Sequence, residues 1–202
     1  MKKTRRFQVR RADLAALCRQ TPEFTPAAKT SCLHSFDCET DIFAALVQSI
    51  VAQQLAVRAA DAVLARLRAL VTPTTPENLL AASPEELRKC GLSGRKTEYL
   101  RGVAEAARSG RLDFARLDAM TDAEIVGELV GLKGVGVWTA EMMLIFSFGR
   151  PDVFSWRDLG VRHGLMKLAG RDAFSDAELE GFRRRVSPYG TLASLCCWRA
   201  NA

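Results

Sequence analysis

Several features that would set the class of a protein at once are missing from this chain. It has six cysteines (Cys18, Cys32, Cys38, Cys90, Cys196 and Cys197), yet no Cys-x-x-Cys pair and no metal-ligand spacing. That excludes a zinc-ribbon framework and fits a reduced pool of thiols. No apolar run approaches the length of a membrane span. The charged start Met1-Lys2-Lys3-Thr4-Arg5-Arg6 is not followed by the apolar core of a secretory signal. The expectation is a cytoplasmic protein, nucleoid-associated if the source is bacterial, with no membrane partner. Strand signals are scarce, and no internal repeat or low-complexity linker divides the sequence.

What is present is helix punctuation. The chain has 202 residues, 48% apolar and 26% charged, enough for one large domain or two small lobes around a buried core. Its net charge of +6 suits a polyanionic partner. Ser83-Pro84-Glu85-Glu86, Thr121-Asp122-Ala123-Glu124 and Ser175-Asp176-Ala177-Glu178 each pair an N-cap hydroxyl with a glutamate at N3, the pattern of a capping box. Thr75-Pro76 and Ser83-Pro84 put proline at the first helical position. Glycines 91, 110, 131, 149 and 170 follow apolar-periodic runs, where a C′ residue belongs. Residues 12–19 make a short N-terminal helix, and the stretch from Thr21 to Asp41, with Pro22 and Pro26, reads as an irregular arm. Ile42, Phe43, Leu46, Val47, Ile50 and Val51 follow helical spacing and predict a buried helix ending at Gln53-Gln54-Leu55; Val57 to Leu70 predicts the next. The fold class is therefore all-α, with about ten short helices.

One stretch, Leu132 to Asp158, carries the chemistry. Gly134 and Gly136 lie between two apolar runs, so they can make a tight turn between helices and bare the N–H groups of the second helix to a phosphate. After that helix and a turn at Gly149-Arg150-Pro151, a lone carboxylate, Asp158, follows Trp156 and Arg157. Asp158 has two readings, which are compatible: a catalytic acid, or the N-cap of a helix over 158–168.

Four blocks carry a family resemblance: Gly131 to Ala140 with the downstream Asp158, Ser49 to Ala60, Gly91 to Leu100, and Phe154 to Gly160 with the closing segment Ser187-Pro188-Tyr189 to Trp198. In the order they take along the chain they resemble the helix-hairpin-helix (HhH-GPD) DNA glycosylase superfamily, and within it the 3-methyladenine DNA glycosylase II type. The resemblance runs from about residue 36 to the end. It implies a two-lobed fold with DNA and a base pocket between the lobes. Residues 1–35 would be an arm packed on a 36–202 glycosylase domain, with one lobe at about 41–150 and the other from the arm and about 151–202.

The resemblance also implies roles. Asp158 would stabilise the positive charge that develops on the sugar and orient water. Trp138 stands where bifunctional relatives carry a nucleophilic lysine, which implies hydrolysis without strand cleavage. Trp138, Met142 and Trp198 would line the base pocket, an indole face attracting a cationic alkylated purine; packing in the core is the plainer alternative for each tryptophan. Gln53, Gln54, Leu92 and Ser93 would fill the gap left by the flipped base, although Gln-Gln also reads as a solvated helix end and Leu92 as core. Gly134, Gly136, Thr139, Arg95 and Lys96 would bind DNA phosphates, with Arg101 flanking the same groove. Relatives bind a monovalent cation on hairpin carbonyls, here near Val130, Leu132 and Val135. No further cofactor is implied, and no iron–sulfur segment is expected after Trp198. The expected partner is double-stranded DNA with damaged bases, bound by a monomer. Arg157 departs from an acid common before the catalytic one, and Gly190 from an arginine common after Pro188-Tyr189. Arg183-Arg184-Arg185 reads equally as a solvated helix face. Two other functions compete: a non-catalytic hairpin module that binds damaged DNA, and a monofunctional glycosylase for mismatched or deaminated bases. A pure binder would need neither Asp158 nor an aromatic pocket.

Overall fold

Local capping decides where the helices begin. In the computed structural model, which describes residues 5–29 and 33–202, all three predicted capping boxes are closed. Ser83, Thr121 and Ser175 each accept from the N–H of the glutamate three residues on, and that glutamate reaches back to the cap. Of the charged start, Met1 to Thr4 lie outside the described residues, as does Cys32.

The elements run β1 (Arg5–Phe7), α1 (Arg11–Gln20), a 3₁₀ turn (Pro22–Phe24), α2 (Thr25–Lys29), β2 (Phe36–Cys38), α3 (Ile42–Ala52) and α4 (Val57–Leu70). They continue with α5 (Pro76–Ala81), α6 (Pro84–Lys89), α7 (Gly94–Arg108), α8 (Phe114–Leu117), α9 (Asp122–Val130) and α10 (Val137–Phe146). The chain closes with α11 (Leu159–Ala169), α12 (Asp176–Val186) and α13 (Gly190–Asn201). Among the described residues the all-α expectation holds but for one antiparallel pair, β1 with β2, in the register Arg5 to Cys38 and Phe7 to Phe36. The arm expected to be irregular is thus partly ordered, as a 3₁₀ turn, α2 and β2. Gly131 is a second difference: it ends α9 at φ −64 rather than left-handed, whereas Gly170 ends α11 at φ 63.

Contacts divide the chain into two units: Glu39–Met143, and the residues up to Cys38 together with Leu144–Ala202. In the first unit α3 is the buried element, with Ile42, Phe43, Leu46, Val47, Ile50 and Val51 all inside and Asp41 capping the helix through the Ala44 N–H at 3.0 Å. In the second, Leu17 and Phe24 join Phe154, Trp156, Val161, Leu165 and Phe182 in one core. There α11 and α13 pack closely because Gly164 has no side chain; a Cβ at that position would overlap the Cys197 carbonyl. Among the described residues, no helix is long and apolar enough to cross a membrane.

Candidate active site

Within the 39–143 unit the site is a glycine turn, buttressed from two neighbouring helices. After α9 the Leu132 N–H returns to the Leu129 carbonyl and the Val135 N–H to the Leu132 carbonyl, both at 3.1 Å, with Leu132 and Val135 buried as anchors. Gly134 adopts φ +84, and a Cβ there would lie 2.2 Å from Tyr99 Cδ2, so both conformation and space require glycine. At Gly136 a Cβ would meet nothing within 4 Å; this is the exposed, uncovered part of the turn. Gln53, the C-cap of α3, donates its side-chain amide to the Gly134 carbonyl at 2.8 Å. Lys96 donates to the carbonyls of Val51 and Gln53 at 2.8 and 2.6 Å. It satisfies acceptors that α3 leaves at its C-terminus, where a cation also suits the helix dipole. Burial lowers the Lys96 pKa from the ordinary lysine value.

This geometry corrects several sequence expectations. Lys96 is committed to the end of α3 rather than presented to a phosphate, and Arg101 likewise serves the Ala82 carbonyl at 2.9 Å. Gln53 spends its amide on the hairpin, which leaves Gln54, exposed at φ 55, as the projecting residue of the pair. Leu92 is buried in the unit's core and is no wedge; its exposed neighbour Ser93 caps α7 by accepting from the Lys96 N–H at 3.2 Å. Thr139 is buried as well, so its hydroxyl is not offered at the surface. Arg95 is exposed. Trp138 is 44% exposed on the first turn of α10, with half-buried Met142 one turn on. Leu55 and Val57, 39% and 76% exposed beside Gln54, were not singled out from sequence. Two apolar residues at a turn between helices were the available signal.

The carboxylate belongs to the other unit, and side chains of α13 deliver it. Val153 donates its N–H to Thr191 Oγ1 and Ser155 donates to Ser194 Oγ, each at 3.1 Å, while the Ser194 hydroxyl returns to the Val153 carbonyl at 2.9 Å. These bonds tie 153–155 to α13, and the chain then turns into α11 with Asp158 as its N-cap. Asp158 Oδ1 accepts from the Val161 N–H at 2.9 Å and from the Trp198 indole N–H at 2.8 Å. The capping reading of Asp158 is therefore correct, and Trp198, expected as a pocket wall, is a donor to that carboxylate. The Trp198 ring stacks on Phe146 at 5.8 Å. Arg157 lies over the Trp156 ring at 4.1 Å, and Trp156 donates its indole N–H to Glu180 at 3.2 Å.

The rest of the site chemistry is narrow. Burial raises the pKa of Cys18, Cys38, Cys90, Cys196 and Cys197, to about 12 for Cys196, so among the described cysteines none is a ready thiolate. No cluster of three or more His, Cys, Asp or Glu side chains could hold a metal among the described residues. Of the predicted cation ligands, the Leu132 carbonyl accepts from Val135 and keeps a second lone pair; such oxygens suit a hard monovalent ion. Asp158, partly exposed and fixed by two donors on one oxygen, is suited to stabilising positive charge or to taking a proton from water.

Residues 47–187 match the model of the HhH-GPD superfamily base excision DNA repair proteins. The solved structure of a DNA-3-methyladenine glycosidase from Bacillus halodurans is 35% identical, with a TM-score of 0.85, covering 98% of this chain and 93% of that one. A 3-methyladenine DNA glycosylase of fission yeast, solved in complex with abasic DNA, is 26% identical with a TM-score of 0.77, covering 94% of each chain. Among curated sequences, DNA-3-methyladenine glycosylase 1 of Schizosaccharomyces pombe is 35% identical over 127 residues, which is 61% of this chain and 56% of that protein. The DNA-3-methyladenine glycosylase of Saccharomyces cerevisiae is 34% identical over 156 residues, 72% of this chain and 53% of that protein. The chain spans about half the length of these curated relatives.

Proposed function

We propose, for a chain that belongs to the HhH-GPD superfamily of base excision DNA repair proteins, the activity of a monofunctional DNA glycosylase that removes N3- and N7-alkylated purines from duplex DNA. The observation that carries this reading is Asp158, a partly exposed carboxylate fixed by the Val161 N–H and the Trp198 indole. As the N-glycosidic bond breaks, its electron pair leaves with the base and positive charge builds on the sugar. Asp158 stabilises that charge and takes a proton from the water whose oxygen bonds to C1′. A purine alkylated on a ring nitrogen is a good leaving group because it departs neutral. Trp138 has no amine to attack C1′, which supports base release with the strand left intact.

Removal requires the base to leave the stack. Gln54, at its positive φ, is assigned the vacated gap, with Leu55 beside it. The Trp138 indole, 44% exposed, is assigned to the extruded cationic base, a contact worth about 0.5–2 kcal/mol. The open backbone at Gly136 and the Arg95 side chain are assigned to phosphates. The carbonyls of Val130, Leu132 and Val135 are assigned to Na⁺ or K⁺, which would stiffen the turn, and the enzyme is taken to act as a monomer in the cytoplasm. The test is release of N3- or N7-methylated purine from a duplex by wild type and Asp158→Asn. Equal rates would remove Asp158 from the chemistry, and strand scission without added base would end the monofunctional assignment.

A further inference from the structure

The Trp198 indole that donates to Asp158 lies against two neighbours from different elements, Gly160 and Phe146. Asp158 Oδ1 takes both the Val161 N–H and the indole N–H, so the carboxylate is fixed about its last torsion by two donors on one oxygen. The indole in turn fits against Gly160. A Cβ on that residue would lie 3.0 Å from Trp198 Cδ1, 3.4 Å from its Nε1 and 3.0 Å from Asp158 Oδ1. Gly160 is not in the left-handed region, so space rather than backbone conformation is what calls for glycine. Alanine is the better helix former and would otherwise be preferred in the first turn of α11. The Phe146 ring stacks on the indole at 5.8 Å and an interplanar angle of 26°. Behind it Phe36 of β2 lies 5.4 Å from Phe146, and Phe7 of β1 lies 5.3 Å from Phe36. A row of four aromatic rings therefore runs from the two-stranded sheet to the acid.

We propose that Gly160 and Phe146 are positioning residues that aim Asp158 by holding the Trp198 indole against it, and that the sheet formed by β1 and β2 is the far support of this row. The proposal rests on the glycosylase reading for its effect on rate, but the contact itself can be tested without catalysis. In ¹⁵N-labelled full-length chain, the Trp198 indole N–H resonance, assigned by its loss in Trp198→Phe, is expected to shift in Gly160→Ala and in Asp158→Asn. An unmoved resonance in Gly160→Ala overturns the clamp whatever the enzyme does. In single-turnover excision, Gly160→Ala is expected to fall about ten- to a hundred-fold, as small misplacements of a reacting group do, with Phe146→Leu losing less. Affinity for duplex bearing an abasic site should stay at the wild-type value, and the melting temperature should change little, because the helix preference of alanine offsets the displaced indole contact. A merely structural glycine would lose stability and rate together. Trp198→Phe keeps an aromatic ring but loses the donor and the indole edge beside Gly160, so it should be as slow as Gly160→Ala, and combining the two should cost little more. Full additivity, or a wild-type rate in Gly160→Ala, overturns the proposal while Asp158→Asn still decides the function. Absence of base release by wild type would instead refute the glycosylase reading and leave the resonance to judge the clamp.

Discussion

In the 39–143 unit the hairpin is held by long polar side chains that reach backbone carbonyls: Gln53 to Gly134, and Lys96 to Val51 and Gln53. In the unit that contains 144–202, the acid is held by rings and by glycines that leave room for them, with Trp198 on Asp158, Gly160 beside both and Gly164 under α13. The difference follows from the task each half is assigned. A phosphate is recognised by bare backbone N–H groups, so the turn needs its shape fixed and its face left open. A carboxylate that must meet one carbon atom needs its own direction fixed, which close packing does better than flexible side chains. Substitutions in the first half should therefore act mainly through folding and DNA binding, and those in the second mainly through rate.

The largest effect that could break this contrast is expected from Asp158→Asn. Asparagine caps a helix about as well as aspartate, so α11 and the melting temperature should be nearly unchanged. Base release should fall about 10²–10⁴-fold, the usual worth of a positioned acid–base group. A stability loss that matched the loss in rate would put Asp158 among structural residues and erase the distinction. Gly134→Ala is the reciprocal experiment. Left-handed backbone costs an ordinary residue about 1–3 kcal/mol, and driving a methyl into a packed ring adds about 1–3 kcal/mol. Thermal or urea unfolding should show a loss of about 2–6 kcal/mol, with weaker DNA binding. Adding Tyr99→Ala should recover the steric part only. Full recovery would mean that φ at Gly134 is unimportant.

How much of this was legible in sequence depends on how local each interaction is. The capping boxes at Ser83, Thr121 and Ser175 are written within four residues and were read correctly, as was the buried stripe of α3. The glycine turn and the cap at Asp158 are legible because their residue types are restrictive: glycine for the turn, and an isolated acid at a helix start. Lys96 was misread because the carbonyls that it serves lie 43 and 45 residues back along the chain, and beside a glycine-rich motif a lysine reads as a phosphate ligand. Trp198 was read as a wall and not as a donor, since its partner lies 40 residues away. Strands β1 and β2 have three residues each, too few for a period-two pattern to register.

Lys96→Met sharpens the comparison from the hairpin side. Methionine keeps the length and apolar stem but abandons two carbonyls at the end of α3. Hydrogen bonds to a charged group contribute about 1.5–3 kcal/mol, and partial exposure brings the expected loss to about 1–2 kcal/mol on unfolding. The dependence of DNA affinity on salt should keep its slope, because a lysine committed to carbonyls releases no counterion. Arg95→Gln, at an exposed neighbour, should lower the slope by about one. A reduced slope in Lys96→Met would return that residue to the phosphate contacts and make the hairpin half a binding surface first and a folded support second.

The smallest effect concerns acid stability, where the two halves differ in degree. Glu86 and Glu124 in the hairpin unit are held below the ordinary carboxylate range by their caps: Glu86 by the Ser83 N–H and then its hydroxyl, Glu124 by the Thr121 hydroxyl and then its N–H. Glu178 in the carboxylate unit is held lowest, at about 2, by the Ser175 N–H, then the Ser175 hydroxyl, then Arg171 at 2.8 Å. Its unfolded value is the ordinary 4.5. A carboxyl depressed on folding stabilises the native state fully above the unfolded value, and that contribution fades as pH falls toward the folded one. Melting temperature should therefore decline between about pH 4.5 and pH 2, and Glu178→Gln should flatten part of the decline. Glutamine still serves at N3 of the capping box, so near neutral pH the variant should unfold only slightly earlier than wild type. Parallel curves for the two proteins would mean that Ser175 caps α12 equally well without the charge, and that the acid-labile contacts of this unit lie elsewhere.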